Sequence, residues 1–373
     1  RQVQTTLDTW IYSLAMLQTQ SGYSGRGNYG IIRMNSGYGS RPLVGLAPGR
    51  PWGARFRRDL AVLLKEHEKL VHAHDRPRTG ARALLWLEPW DGKTPIGLSE
   101  CDPYVIEMAR LIRLVEEAGS LVAYRKATQG QRLSPKVDVL KGNVGDPWIP
   151  VKSEGSALNI GPGGITYDRV RALLFQDGYR WSACQHPQPD DPPSVFFCAA
   201  AIARGQGGTE GFHERWIEIP LKRRWVLFDE HRRKTLGETA RERVEQTANV
   251  RRRALHPALL VLLEGAPERR LNLKSNLDLR WLNVFEAKID QRFFPNLWED
   301  AELEGDEQKR RWARTLRGAA EEVLKLAEKE APLADARRER ALARAWMILR
   351  GGLKKWVPEA FESLEEAKNE SAA

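Results

Sequence analysis

The residue types best suited to binding chemistry lie in one acid-free stretch near the start of the chain. No Asp or Glu occurs between Asp8 and Asp59, and the interval holds nine glycines, seven arginines and several aromatic residues. Arginine matches phosphate with a fixed charge and a fork of donors, glycine allows close backbone approach, and aromatic rings stack on bases. This combination favours a nucleic-acid-binding surface that includes Arg26. The alternative is a solvated loop whose arginines pair with acids elsewhere in the fold.

Two later segments carry cations or glycines in loop-like surroundings. Residues 124–141 contain five cations and one acid, and Lys136 lies beside a predicted strand, where it could reach phosphate or a base edge. Residues 204–211 contain four glycines around a few polar side chains, which suits a protruding loop. The alternatives are a solvated strand edge for the first segment and an ordinary hairpin connection for the second.

Motifs for catalysis or metal binding are weak. Gly25–Gly30 matches the dinucleotide pattern GxGxxG, but a helical segment precedes it and the next acid is Asp59. Cys184 and His186 could suggest a thiol nucleophile, yet the Pro- and Asp-rich surroundings predict an exposed loop and no orienting partner. We therefore expect no enzyme activity. Three histidines of one predicted helix lack companions at ligand spacing and are expected on the surface: His67, His72 and His74.

Composition places the chain among globular, non-membrane proteins. It has 373 residues, 59 Lys+Arg against 49 Asp+Glu, and a formal net charge of +10. Residues 301–373 hold 15 basic and 15 acidic residues, so the whole excess lies in residues 1–300. No apolar run is long enough to span a membrane, and three scattered cysteines predict no disulfide framework, which favours a cytoplasmic location. The start lacks Met and a signal peptide, as is typical of the interior of a longer protein.

The elements that must position these residues fall into two regions. Helical spacing predicts helices at 5–18, 59–74 and from Asp102 to about Gly119, and short apolar runs predict strands at 137–140 and 148–151. Thr166 is a suitable N-cap for a helix ending at Leu174. Later residues form two apolar helical stripes, at 316, 320, 323, 324 and 327 and at 342, 345, 346, 349, 353 and 356. We predict an α+β fold, with a mixed α/β body over 1–230 and a C-terminal antiparallel four-helix bundle over 231–373.

Four segments and the terminal helices, in this order, resemble the large-subunit (CasA) family of the type I-E CRISPR Cascade surveillance complex. The segments are LQTQSGYSGRGNYG…GSRPLVGL (17–46), ECDPYVIEMARLIRL (100–114), KVDVLKGNVGDPWIPV (136–151) and ARGQGGTEGFHER (203–215). The resemblance covers almost the whole chain and implies that the family's N-terminal portion is missing from it.

The resemblance implies a subunit that has no catalytic activity and needs no cofactor. In this family the large subunit checks the protospacer-adjacent motif in duplex DNA, largely from the minor groove, and starts unwinding. On matching positions the glycine loop comprises Gly22, Tyr23, Ser24 and Gly25, beside Arg26, the lysine is Lys136, and the wedge loop lies within Gly205–Gly211, including Gln206, Gly207, Gly208 and Thr209. The implied partners are target double-stranded DNA, the CRISPR RNA, the other Cascade subunits and the CRISPR helicase-nuclease.

The sequence departs from the family pattern in two places. The family's wedge glutamine aligns nearest to Thr209, with Gln206 three residues earlier, so either side chain could serve. Some members carry a cysteine cluster suited to zinc, which this chain lacks, so we expect no metal. Two other functions stay open: a stand-alone nucleic-acid-binding protein that dimerises through the stripes at Leu316 and Leu342, and an NAD-type enzyme.

Overall fold

Strands and helices occupy different parts of the chain in the computed structural model of the protein. The structure describes residues 6–20, 26–27, 41–106, 110–133, 140–205, 208–265, 271–331 and 334–362. The chain divides into two units, Arg1–Glu230 and His231–Ala373. Among the described residues, all strands lie in the first unit and the second unit is helical, which confirms the predicted α+β class.

The first unit contains ten helices and strands among its described residues. They are α1 (Leu7–Gln20), β1 (Leu43–Ala47), α2 (Trp52–Ala73), β2 (Leu111–Glu117), β3 (Ser120–Lys126), β4 (Val151–Lys152), α3 (Tyr167–Leu174), β5 (Tyr179–Arg180), β6 (Val195–Gly205) and β7 (Gly208–Ile219). β1, β6 and β7 form an antiparallel sheet in that order, β2 pairs with β3, and β4 pairs with β5. β6 is the central strand because its apolar run, which includes Phe197 and Cys198, is buried on both faces.

The helix predicted from Asp102 to about Gly119 is wrong. Residues from Leu111 onward form the β2–β3 hairpin instead, with Leu111 opposite Lys126 and Glu117 opposite Ser120. The turn places Ala118 and Gly119 at φ values of 50° and 75°, and two consecutive left-handed residues match the twist of paired strands. The spacing of the leucines fits a helix, but the Ala-Gly turn and pairing with the following strand determine the structure.

The other predicted elements are confirmed in part. α1 and α2 occur, although α2 begins at Trp52 because Pro51 occupies its N-cap. The Thr166 hydroxyl accepts a hydrogen bond from the Arg169 amide at 3.2 Å, which confirms the predicted cap. The strand predicted at 148–151 is wrong except at its last residue, since Pro150 interrupts this run and Pro147 precedes it. The strand predicted at 137–140 falls almost wholly outside the described residues.

The second unit is a group of long helices around a shared apolar interior. They are α4 (Glu230–Asn249), a π-helical turn (Val250–Leu255), α5 (His256–Glu264), α6 (Leu279–Asp300), α7 (Gly305–Glu330) and α8 (Asp335–Trp356). The first predicted stripe is fully buried: Leu316, Ala320, Val323, Leu324 and Ala327. Of the second, Ala345, Leu349 and Leu353 are fully buried, and the other members are partly exposed.

Close approach and buried charge fix the helices of the second unit. A Cβ at Gly352 of α8 would come 2.6 Å from the Cβ of Ala254, so glycine is required where α8 crosses the π-helical turn. The Arg243 guanidinium bonds the Asp300 carboxylate at 2.7 Å, with both side chains buried. Among the described residues, no helix has both the length and the apolar character needed to cross a membrane.

Candidate nucleic-acid interface

The sheet of the first unit attaches two of the predicted loops at the same end. Leu43, the first residue of β1, lies opposite Ala200, and the two strands are antiparallel. The chain therefore enters β1 at the same end of the sheet at which β6 ends, at Gly205. There Gly205 pairs with Gly208 across residues 206–207. The segment that ends before Arg41 and the tip of the β6–β7 hairpin are thus anchored at one end of the sheet.

Arg41 links the glycine-rich segment to the segment that follows Lys136. Its side chain is buried, and Nη1 donates to the carbonyl oxygens of Ala157 and Leu158 at 2.7 and 2.9 Å. The Ala157 amide in turn donates to the Lys141 carbonyl at 3.1 Å. The guanidinium lies against Gly142, where the backbone has a φ of 76° and a side chain would overlap it. One buried cation therefore holds together chain segments about 100 residues apart in sequence.

Both flanks of the 134–139 segment are fixed in one apolar cluster. Leu133 before it and Val144 after it pack together with Leu85, Ile96 and Cys101. The Ile96 amide also donates to the Arg132 carbonyl at 2.7 Å. A segment whose two flanks are held by one packed cluster has a defined base, which is what positioning a single recognition side chain requires.

Arg26 lies beside the end of the β2–β3 hairpin. The carbonyl of the next residue, Gly27, accepts a hydrogen bond from the Thr128 amide at 2.9 Å, and Gly27 has a φ of 82°. Arg26, Lys93 and Lys126 are exposed, and each lies within two residues of a backbone hydrogen bond in this region. The base of the hairpin consequently presents several cations to solvent.

The predicted wedge loop is the distal part of the β6–β7 hairpin. Gly208 and Thr209 belong to β7, Thr209 pairs with Arg204, and its side chain is exposed. A register shift occurs between Ala203 and Arg204, as at a β-bulge, which bends a strand and increases its twist.

The structure describes three of the ten predicted DNA-binding residues. Arg26, Gly208 and Thr209 are placed as given above. The others lie outside the described residues: Gly22, Tyr23, Ser24, Gly25, Lys136, Gln206 and Gly207. What the structure adds is the anchoring of the segments that carry them.

Not every arginine of the acid-free stretch between Asp8 and Asp59 is available to a ligand. The Arg58 guanidinium is buried and donates to Asp191 at 2.6 and 3.0 Å, and to the carbonyls of Cys184 and His186. Arg58 therefore fixes α2 to a distant loop. For this residue the alternative interpretation is correct, in which arginines of the stretch pair with acids elsewhere in the fold. Sequence reasoning had no signal that separates this arginine from the exposed Arg57 beside it.

The Cys184 thiol is buried, and of the three histidines expected on the surface His72 is exposed while His67 and His74 are half-buried. The prediction of an exposed loop is wrong at Cys184, because a 3-10 turn at Ala183–Gln185 packs against β1 and buries the thiol. It holds for His186, Pro189 and Asp190, which are exposed. Burial raises the pKa of Cys184, so the thiol stays protonated and is a poor nucleophile. His67 lies 2.9 Å from the Asp102 carboxylate. Within the described part of the chain, no three His, Cys, Asp or Glu side chains are grouped as a metal site would need.

Comparison with known proteins identifies the fold. No protein-family model matches the chain, and no curated protein is significantly similar to it. Thermus thermophilus CasA has a TM-score of 0.59 and 15% identity, covering 94% of this chain and 73% of that one. Thermobifida fusca Cse1 has a TM-score of 0.59 and 16% identity, covering 95% and 72%. The CRISPR-associated protein Cse1 from Acidimicrobium ferrooxidans has a TM-score of 0.55 and 15% identity, covering 94% and 73%. The chain has the fold of these CasA/Cse1 proteins, which confirms the resemblance at the level of fold.

Proposed function

We propose that this chain is the non-catalytic large subunit of a type I-E CRISPR RNA-guided surveillance complex. In this role it reads the protospacer-adjacent motif in duplex DNA, starts unwinding and helps recruit the helicase-nuclease. Its partners are then target DNA, the CRISPR RNA and the other Cascade subunits. The fold shared with CasA and Cse1 proteins over more than nine-tenths of the chain supports this role.

The observation that carries the proposal is the common anchoring of the described residues that flank the three predicted loops. β1 and β6 attach the glycine-rich segment and the hairpin tip at one end of the sheet. Arg41 connects the first of these with the segment after Lys136. Three loops with a shared base can engage one stretch of duplex together, whereas loops on separate faces could not.

The chemistry of the loops suits a lenient reading of the minor groove. That groove presents a degenerate donor and acceptor pattern, so backbone amides and one lysine can accept a small set of related motifs. A glycine-rich hairpin tip is narrow enough to enter between base pairs, at a cost of a few kcal/mol of unstacking per step. Pairing with the guide RNA and contacts to the DNA backbone offset this cost.

The alternative of a dimerising stand-alone binder has less support. It requires the apolar stripes at Leu316 and Leu342 for association between chains, but the first stripe is fully buried within the second unit, and half of the second stripe (Ala345, Leu349 and Leu353) is fully buried there as well. The dinucleotide alternative is also disfavoured, because the element before Gly25–Gly30 is the helix α1 rather than a strand.

Substitution of Lys136 tests the reading role. Lys136→Ala should weaken binding of the assembled complex to duplex carrying the correct motif by about 5- to 150-fold, since a base-edge contact contributes about 1–3 kcal/mol. Binding to a target whose strands are already separated should change little. Lys234→Ala, an exposed lysine of α4, is the matched control and should bind both substrates normally. Equal losses on duplex and on separated strands would reduce Lys136 to a phosphate contact.

A further inference from the structure

The far part of the β6–β7 hairpin extends past the strand that supports β6. Pairing between β1 and β6 ends with Leu43 opposite Ala200, whereas β6 and β7 remain paired with each other as far as Gly205 and Gly208. The hairpin beyond Ala200 is therefore a two-stranded ribbon, which we call the projecting ribbon. Two paired strands alone are at best marginally stable in water, so the direction of the ribbon depends on what its faces contact.

One face of the projecting ribbon is packed and the other meets solvent. Ala201 and Ala203 are buried, and the side chain of His213 lies on the same face because His213 is directly opposite Ala201. On the other face, Phe212 is 65% exposed and Glu214 is exposed. The packed face is where contacts with the rest of the first unit can fix the direction of the ribbon.

The His213 imidazole occupies space that two glycines leave open. A Cβ at Gly164 would overlap the ring, and a Cβ at Gly211 would lie 3.0 Å from its Nε2. Gly164 also has a φ of 70°, a conformation that glycine adopts without strain. Nε2 is buried and has no hydrogen-bond partner among the described residues, so this edge of the ring acts by packing.

The segment that His213 contacts is itself fixed to the first unit. The Gly164 amide donates to the Gly161 carbonyl at 2.9 Å and closes a turn. The residues on either side of this turn, Ile160 and Ile165, are buried. Arg41 bonds the same segment two residues before Ile160. His213 therefore meets a firm support at the base of the projecting ribbon.

We infer that His213 is a positioning residue for the wedge loop at the tip of this hairpin. Its contact with Gly164 fixes the direction of the projecting ribbon at its base. A tip that enters between base pairs must overcome a few kcal/mol of unstacking per step, and a ribbon free to swing would yield instead. This inference rests on the proposed function and names a residue that acts through the hairpin rather than by touching DNA.

His213→Ala removes the ring and keeps the backbone pairing of the strands. The guide complex is assembled with the parent or the variant chain, and its affinity is measured for duplex carrying the correct motif. Affinity should fall by about 5- to 150-fold, the usual range of coupling between two parts of a protein. Affinity for a target already unpaired beside the motif should not change, because no opening is needed. Glu214→Ala, on the solvent face, is the control and should match the parent on both substrates.

Gly164→Ala tests the same contact from the other side. The new methyl group displaces the imidazole, so binding to the motif duplex should weaken while binding to the opened target should not. In the His213→Ala background there is no ring to displace, and Gly164→Ala should cause no further loss. A further loss in that background would show that Gly164 acts without His213 and would overturn the inference.

The outcomes separate this inference from the proposed function. If the parent complex binds the motif duplex selectively and His213→Ala does so equally well, the inference falls and the proposed function stands. If the parent complex shows no selectivity for the motif, both fall. Equal losses on duplex and on opened target would show that His213 serves folding or assembly, and this result also overturns the inference.

Discussion

Gly142→Ala tests whether Arg41 joins the two loop bases as the structure indicates. The substitution has two separable effects. Any L residue at a φ of 76° is strained, and the new methyl group also overlaps the buried Arg41 guanidinium. Gly178→Ala is the matched control, because Gly178 has a φ of 74° and no atom within 4 Å of the added Cβ.

The two effects differ in magnitude. Left-handed backbone costs an alanine about 1–2 kcal/mol, which both variants share. Displacing Arg41 breaks hydrogen bonds to the Ala157 and Leu158 carbonyls, and losing one bond to a charged donor costs about 1.5–3 kcal/mol. With the strain and the loss of one of these two bonds, Gly142→Ala should lower the free energy of unfolding by about 2.5–5 kcal/mol, and Gly178→Ala, with the strain alone, by about 1–2 kcal/mol.

The assay is hydrogen exchange by mass spectrometry on peptides spanning 141–158 and on peptides around Gly178, which reports local opening within the first of the two units. In an Arg41→Ala background the cost of Gly142→Ala should fall to that of Gly178→Ala, because the clash has been removed. Equal costs for the two glycine variants in the parent chain would refute the reasoning. The reasoning would also be refuted if Gly142→Ala still cost more than Gly178→Ala in the Arg41→Ala background.

Two further predictions concern the packing that supports each unit. Asp191→Ala leaves the buried Arg58 charge without its carboxylate and should lower the free energy of unfolding, measured by urea titration, by about 3–5 kcal/mol. The control Asp190→Ala, at an exposed residue, should change it by less than about 0.5 kcal/mol. Comparable effects of the two variants would contradict the pairing. Gly352→Ala should cost about 1–3 kcal/mol because its Cβ would lie 2.6 Å from a neighbouring Cβ. Gly351→Ala, with open space around it, should stabilise α8 by up to about 1 kcal/mol, and stabilisation by both would contradict the close approach.

Local patterns in the sequence predicted much of the helical structure. The 3.6-residue stripes of α7 and α8 and the Thr166 cap depend on neighbours in sequence, so periodicity and capping rules predict them. The β2–β3 hairpin shows where such rules fail. Its leucines fit a helix, and only the turn at Ala118–Gly119 and pairing between strands determine the outcome.

The contacts that position the candidate interface are non-local and could not be read from the sequence. Arg41 and Arg58 belong to the same arginine-rich stretch as Arg26, and composition treats all three alike. Only the fold shows that the first two bond to groups more than 100 residues away, while Arg26 is exposed. Burial, which depends on the whole chain, separates structural arginines from those free to meet a ligand.

The most direct test of the central claim uses a duplex library randomised beside the target sequence. The guide complex is assembled with and without this chain, and the bound duplexes are sequenced. A short motif should be enriched only when the chain is present, and Lys136→Ala should reduce this enrichment. Unchanged affinity and no enriched motif in the presence of the chain would contradict the claim that it reads the protospacer-adjacent motif.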